Sequence, residues 1–523
     1  MATIAHASPA QPARADGLDR SGRLFGGLIG DLRRRLPHYG SDLRAGFHPK
    51  VLGSTLFLFF ACLANAIAFG GLTEVMTGGS IGTVEMIVAT AGCGVVYALA
   101  SGQPLTILGG TGPMVIFTAL LYQACTHFGL PFLATYAWVG LWAGFFLVVL
   151  AITDGSALMR FFTRFTDEIF AALIAVIFVV EAVKDVAGGF RSPEVARDSA
   201  LLGLVLALGT YAVASGLKNF RRSRYLRSFV REFLADFGPA IAIVAMTLFS
   251  RLLPDIVQRT PRVPATVTTT LSRPWLVDLM SVPLWLCFAA AGPALLATVL
   301  LFLDQNITTR LVNAPGHRLT KGAGYHLDLL IVGLLVAACS LAGLPWLVAA
   351  TVHSLNHVRS LADSELVDGR ERIRSVRENR ISALAVHLLI GATLFALPLI
   401  RLIPVSVLFG LFLYMGFASL GGNQLFERVC LWFTDPKLFP ATHYTRKVPK
   451  RLISAFTLVQ VAALAALWVL KSSKLGLLFP LLIALLVPLR SLLGRFFRAE
   501  DLAALDADHE PEDPEEEDSA TGG

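Results

Sequence analysis

The chain has 523 residues, of which 55% are hydrophobic and only 15% charged, with a mean hydropathy of +0.65 and a formal net charge of +7. A soluble domain carries about 25% charged residues, so the composition excludes a soluble globular protein and points to an all-α polytopic membrane protein. Six cysteines (Cys62, Cys93, Cys125, Cys287, Cys339 and Cys430) stand singly in or beside apolar runs without CxxC or metal spacing, which argues against a disulfide framework.

Residues 1–50 are polar and carry no apolar core ahead of a small-residue cleavage site. The first apolar run, near Val51, therefore reads as a span of the mature protein. Within this N-terminal arm, Phe25 to Leu36 (FGGLIGDLRRRL) suits a basic amphipathic helix on the inner membrane surface and equally suits an ordinary solvated arm. Apolar runs follow at 51–70, 82–100, 103–126, 132–152, 166–184, 199–217 and 234–253. A second set lies at 281–308, 325–342, 346–358, 380–398, 403–422, 452–470 and 475–497. The expected organisation is fourteen spans, seven in 51–253 and seven in 281–497. The stretch at 252–280, rich in Pro and Thr, reads as an irregular outer loop. Lys and Arg gather at Lys218–Arg231, Arg359–Arg380 and Arg428–Arg451. By the positive-inside bias these segments and both termini are cytoplasmic, and the net charge is a topological signal rather than a mark of nucleic-acid binding. Residues 498–523 are acidic and low in complexity and read as a disordered cytoplasmic tail.

Repeats with an odd number of spans are inverted relative to one another, an arrangement that transporters use with broken helices meeting at the bilayer midplane. Gly/Pro interruptions occur in the third run of each half. In the first they are Gln103-Pro104 and Gly109-Gly110-Thr111-Gly112-Pro113; in the second, Gly343-Leu344-Pro345-Trp346 followed by Ala349-Ala350-Thr351. Each predicts an extended segment leading into a half-helix. Two facing helix N-termini, with unpaired N–H groups and a positive dipole end, suit an anion. Ordinary loops or packing kinks are the alternative; matched positions in the two halves favour the site.

Pro283 to Leu303 carry no charge and end in Asp304-Gln305-Asn306-Ile307-Thr308. Asp304 and Thr308 are four apart and share a helix face. A carboxylate at membrane depth costs about 2.5–3.5 kcal/mol on insertion scales, so it faces a cavity, a partner or an ion. The other reading places Asp304 at the water interface, ending the helix. The Asn306-Ile307-Thr308 glycosylation pattern falls at a span end and reads as a chance match.

These residues carry a resemblance. FGGLIGDLRRRLPHY (25–39), GQPLTIL (102–108) with TGP (111–113), RFTDEIFAALIAVIF (164–178), DFGPAIAI (236–243), FLDQNITTRLV (302–312), LPWLVAATV (344–352), VLFGLFLYMG (407–416) and LWVLKSS (467–473) resemble the bicarbonate-transporter family, solute carrier family 4. That family holds the band 3 anion exchangers, the sodium-coupled bicarbonate cotransporters and the borate transporters. The resemblance runs from about 25 to 495 and leaves the family's large N-terminal cytoplasmic domain without a counterpart. It implies a uracil-permease-like fold, a 7+7 inverted repeat divided into a core (spans 1–4 and 8–11) and a gate (spans 5–7 and 12–14). It further implies homodimerisation through the gate, elevator-type alternating access and multi-pass residence in the cell membrane. The sodium-coupled branch is the most similar. Carried over, Asp304, Thr308 and the backbone of Ala350 would hold Na⁺, a hard ion that wants oxygen ligands. Thr111, Gly112 and Pro113, with Ala350, Thr351, Val352 and His353, would line the anion site.

Three positions depart from the pattern or stand apart from it. Thr118 stands where relatives place Glu, and His353 where exchangers carry Arg. Lys471 matches a lysine of band 3 relatives and by default snorkels to the interface. The resulting expectation is secondary active transport of bicarbonate or carbonate coupled to Na⁺, with Na⁺-independent chloride/bicarbonate exchange or borate transport as alternatives. An enzyme is not expected: the sequence shows no clustered His/Glu metal motif, no nucleophile–base pair and no phosphate loop, and His353 and His357 lack an HExxH context. No cofactor is expected beyond Na⁺ as coupling ion.

Overall fold

The computed structural model describes residues 17–507 except Asp19, Glu194, Arg222, Ala265, 368–369, 436–439, Ala441 and Lys474. The helices α1 (Gly26–Arg35) and α2 (Tyr39–Arg44) precede α3 (Pro49–Met76), α4 (Thr83–Ala100), strand β1 (Leu108–Gly109), α5 (Gly112–Phe128) and α6 (Phe132–Ile152). Then come α7 (Arg164–Arg191), α8 (Arg197–Phe220), α9 (Ser228–Asp236), α10 (Gly238–Arg251), α11 (Leu284–Ala289), α12 (Ala291–Val312) and α13 (Tyr325–Leu341). Strand β2 (Val348–Ala349), α14 (Thr351–Leu361), strands β3 (Ala362–Val367) and β4 (Arg370–Val376), α15 (Ile381–Ala392) and α16 (Leu397–Ile400) follow. The chain closes with α17 (Val405–Leu420), α18 (Gln424–Leu431), α19 (His443–Lys447), α20 (Lys450–Ser472), α21 (Phe479–Leu493) and α22 (Ala499–Asp506).

Helix forms on every apolar run read from the sequence. Among the described residues, eight helices are long and apolar enough to cross a membrane, or up to ten if each bent pair is one span. Those pairs bend by 70° between α9 and α10 and by 73° between α17 and α18. Helices α5 and α14, with 17 and 11 residues, follow extended chain, so neither helix alone reaches the roughly 20 residues a crossing needs. The stops are conventional. Gly129 closes α5 in the left-handed region at φ 64°, and Pro49 opens α3 with His48 Nδ1 accepting the Lys50 N–H at 3.2 Å.

Packing divides the helices into two units. The first contains α3–α6 and α12–α15; the second contains α7, α8, α10, α17, α18, α20 and α21. They meet where α17 and α10 touch α3 and where α12 touches α21. Phe69 of α3, Phe178 of α7 and Phe412 of α17 form an aromatic cluster across this seam, with ring centroids 5.5–5.7 Å apart.

At one end of the first unit lies a charged network whose members Arg35, Asp42, Glu378 and Arg380 are buried. Asp42 pairs with Arg35 at 3.3 Å, with Arg380 at 3.4 Å and with Lys321. Glu378 pairs with Arg35 at 3.3 Å and accepts the Thr320 and Lys321 N–H groups. This network explains the N-terminal arm. Helix α1 turns Asp31 and Arg35 inward and leaves Ile29, Leu32 and Leu36 exposed, so its outer face is the apolar one.

At the opposite end, the loop 252–281 is irregular, as its composition predicts, but it is anchored throughout. Gln258 Nε2 donates to the Ser199 carbonyl at 2.9 Å, and the Arg259 carbonyl accepts the Val405 N–H at 2.8 Å; both partners belong to the second unit. From Arg262 onward the partners belong to the first. Glu74 accepts the Arg262 N–H at 2.8 Å and Glu85 accepts the Thr270 N–H at 2.8 Å. Arg273 donates to the Gly343 carbonyl at 2.7 Å. Gly343 sits at φ +60°, a backbone conformation that favours glycine, and a Cβ there would lie 2.7 Å from that guanidinium.

Three features differ from the sequence reading. The basic segment 359–380 contains a hairpin, β3 paired antiparallel with β4. The expected disordered tail begins as helix α22, with Leu502 and Leu505 buried and Asp506 accepting the Phe165 N–H at 3.0 Å in the first turn of α7; residues 508–523 of that tail lie outside the described residues. Lys471 does not snorkel: it is 8% exposed, its Nζ lies 3.2 Å from Glu181 of α7, and it stacks over Trp468.

Candidate functional site

The two interrupted spans meet as the Gly/Pro clusters predict. Leu108 pairs with Ala349 and Gly109 with Val348 in a two-residue antiparallel ladder, which the Ala350 N–H extends by donating to the Ile107 carbonyl at 2.8 Å. Side chains hold this ladder where no helix could. Trp346, 2% exposed, stacks on Tyr136 with centroids 4.2 Å apart and donates from Nε1 to Ser340 at 2.8 Å. Such an aromatic pair contributes about 0.5–1.5 kcal/mol beyond its burial. Ser354 Oγ receives the Ile107 N–H at 3.0 Å.

Directly after the strands, α5 and α14 begin at Thr111 and Ala350, and neither N-terminus has a side-chain cap. The first-turn N–H groups of a helix have no intrahelical partner; in α5, Pro113 has none to offer. Helix α12 does not end at Asp304. It continues to Val312, and Asp304, Gln305, Asn306, Thr308 and Thr309 are all buried. The interface reading of Asp304 is therefore replaced by a mid-helix carboxylate. Thr111 Oγ1 donates to Asp304 Oδ2 at 2.7 Å. One turn on, Thr308 Oγ1 lies 2.6 Å from Thr351 Oγ1 and 3.2 Å from the Ala349 carbonyl. So Thr111, Asp304, Thr308 and Thr351 come together, one threonine from each half-helix end on one face of α12.

The remaining predicted positions are placed as follows. Gly112 and Pro113 open α5, and Gly112 faces Phe178 and Ile174 of α7 so closely that a Cβ would lie 2.8 Å from the Phe178 ring. The Ala350 carbonyl is taken by the Ser354 N–H at 2.9 Å and the Ser354 hydroxyl at 2.8 Å; the carbonyl that faces Thr308 is that of Ala349. Val352 is 64% exposed. His353 is half-buried, with Nδ1 enclosed and without a hydrogen-bond partner among the described residues. His357 is fully committed, to the Leu105 carbonyl at 2.9 Å and Ser382 at 2.6 Å. Thr118 bonds back to the Met114 carbonyl.

Two residues not singled out in the sequence build the site. Gln305 Oε1 accepts the Ala349 N–H at 3.0 Å while its Nε2 donates to Tyr97 at 3.0 Å. Asn65 Nδ2 donates to the Gly110 carbonyl at 3.2 Å. The available signal was an amide inside an apolar run, which costs free energy unless paired. Chemically, the pocket offers carboxylate, hydroxyl and carbonyl oxygens for a hard cation beside helix-end N–H groups for an anion.

The family model described as the HCO3- transporter integral membrane domain matches residues 23–197 and 187–510. Anion exchange protein 3 from Mus musculus is 39% identical over 539 residues, covering 95% of this chain and 44% of its own length. Band 3 anion transport protein from Homo sapiens is 37% identical over 520 residues, covering 94% of this chain and 57% of its own. The chain thus spans about half the length of the curated relatives it matches. Both are named for anion exchange or transport. Among solved structures, the transmembrane domain of a cyanobacterium bicarbonate transporter, BicA, aligns with a TM-score of 0.56 at 16% identity, over 80% of this chain and 97% of that one. Murine Slc26a9 in the inward-facing state aligns with a TM-score of 0.58 at 14% identity, over 90% of this chain and 72% of that one. At such identities these two share its fold.

Proposed function

As this chain belongs to the family of the HCO3- transporter integral membrane domain, we propose that it is a secondary active transporter of bicarbonate or carbonate, coupled to Na⁺. One observation carries the reading: Asp304, buried in α12, hydrogen-bonds the threonine that starts one half-helix, and Thr308, one turn away, meets the threonine that starts the other. Na⁺ would be held by Asp304, Thr308 and the Ala349 carbonyl, which faces that hydroxyl where the Ala350 carbonyl is already engaged. The anion would lie against the open N–H groups of α5 and α14, near Thr111, Gly112 and Pro113 and near Thr351, Val352 and His353. The bound cation supplies the charge that the helix ends alone provide only in part.

The wider proposal is fourteen spans as a 7+7 inverted repeat, supported by the antiparallel pairing of β1 with β2 at matching places in the two halves. The first packing unit is the core and carries the site; the second is the gate, through which two copies pair in the cell membrane with both termini cytoplasmic. Transport proceeds by an elevator-like shift of core against gate. A second reading, Na⁺-independent anion exchange, is favoured by the names of the relatives.

The test is bicarbonate-dependent flux in proteoliposomes, followed by an internal pH dye, with and without an inward Na⁺ gradient. Flux that requires Na⁺ supports the coupled reading; flux that ignores Na⁺ and requires Cl⁻ on the far side moves the protein to the exchangers. A narrower check is Thr351→Phe. A ring at the α14 N-terminus fills the space in front of its N–H groups, so flux should fall at least about tenfold, a loss of roughly 1.4 kcal/mol or more in binding. Unchanged bicarbonate affinity in a folded variant would count against the half-helix site.

A further inference from the structure

Behind the strand ladder lies a side chain that neither the sequence reading nor the proposed transport cycle uses. His387 of α15 is 1% exposed. Its ring packs on Gly94 of α4, where a Cβ would fall 1.8 Å from the ring atoms, so α4 is shaped to admit it. Nδ1 faces the Ala383 carbonyl at 2.7 Å, and Nε2 faces the Leu108 carbonyl, in β1, at 3.3 Å. A carbonyl oxygen only accepts. A neutral imidazole carries one N–H, so one of these contacts would set lone pair against lone pair. Both are hydrogen bonds only in the imidazolium, which donates from both nitrogens.

Among the described residues, the surroundings offer this charge no counter-ion. On α14, His353 and His357 are the titratable groups coupled to it electrostatically. On α4, Cys93 lies against Cys339 at 3.2 Å, Tyr97 is engaged by Gln305, and Glu85 holds Thr270 at the helix start. On α3, Lys50 pairs with Asp363 and Glu74 holds the Arg262 N–H, at the two ends of the helix. Asp304 is engaged by Thr111. An unpaired buried cation is costly. The negative charge that can offset it is an anion at the half-helix ends that β1 and β2 carry.

We propose that His387 is the proton-binding residue of the anion site, an imidazolium while a bicarbonate-like oxyanion is bound and neutral when the anion leaves. This rests on the placement of the anion at the ends of α5 and α14. One proton is taken up at Nε2 for each anion bound and is released from the same atom with it. His353, whose enclosed Nδ1 is unpartnered among the described residues and which lies within electrostatic reach of His387, is the acceptor through which the proton passes. With carbonate as the anion, the protein then moves the acid–base equivalent of one bicarbonate, which an internal pH dye still reads.

The experiment is solid-state NMR of the full chain in liposomes with ¹⁵N-labelled histidine, at neutral pH, in sodium bicarbonate and in sodium gluconate. The expected result is an imidazolium pair of ring-nitrogen signals in bicarbonate, absent in gluconate and absent from His387→Gln, whose amide still donates to the Leu108 carbonyl and preserves packing. In flux measurements the wild-type bicarbonate KM should rise about tenfold per pH unit on the alkaline side, as one-proton linkage requires, and should flatten in His387→Gln. Neutral histidine signals in saturating bicarbonate, an imidazolium that survives His387→Gln, or one that persists in gluconate each overturn the proposal. An imidazolium at His387 without bicarbonate flux would instead sink the transport reading and leave this one standing.

Discussion

Asp304→Asn is expected to abolish Na⁺-coupled flux and to leave the fold intact. The asparagine oxygen can still accept from Thr111 Oγ1, which lies 2.7 Å from the carboxylate, so the local geometry survives and the charge alone is lost. Unit charges about 4 Å apart attract by roughly 4 kcal/mol at an effective dielectric of 20, which sets the loss of Na⁺ affinity at about three orders of magnitude. The thermal unfolding profile of the purified variant should match the parent. Normal Na⁺-dependent flux in a folded Asp304→Asn protein would remove Asp304 from the site.

The largest expected stability change lies far from that site, at Asp42. Its carboxylate is fully buried and serves Arg35, Arg380 and Lys321 together. Asp42→Ala leaves Arg35 with Glu378, and Arg380 and Lys321 with backbone carbonyls. Removing one partner of a buried ion pair costs about 3–5 kcal/mol, because the charge left behind is desolvated and uncompensated. The control is Asp363→Ala, which breaks the exposed pair with Lys50, at 2.6 Å; exposed pairs contribute about 0–1 kcal/mol. Unfolding of the two variants in detergent should separate them clearly. Equal stabilities would mean that the Asp42 network is held by something other than its charges.

The spans and their two interruptions were legible because lipid imposes a simple rule: apolar runs of crossing length, broken only where backbone can be satisfied by protein. Asp304 and the two Gly/Pro clusters violate that rule and so announced themselves. Gln305 and Asn65 violated it too, but a lone amide in an apolar run does not say which carbonyl or N–H it serves. The hairpin at 362–376 escaped notice because its sequence, ADSELVDGRERIRSV, reads first as a basic inner segment; its pairing rests on the backbone ladder from Ala362 with Val376 to Val367 with Arg370. Helix α22 escaped because Leu502 and Leu505 are two apolar residues in an acidic stretch, and only the surface they dock on gives them value. Lys471 was read as a snorkelling side chain because Glu181, its partner, is 290 residues away in the chain.

The loop that crosses the seam between the two units has a mechanical consequence. The Arg259 carbonyl is fastened to one unit and the Arg262 N–H to the other. Between them runs a leash of three residue steps, which reaches about 10 Å when fully drawn out. However far the two bodies travel at the opposite face, at this face their separation is capped by that length unless an anchor lets go. The elevator-like shift proposed above therefore has to pivot close to this leash or release one of its anchors.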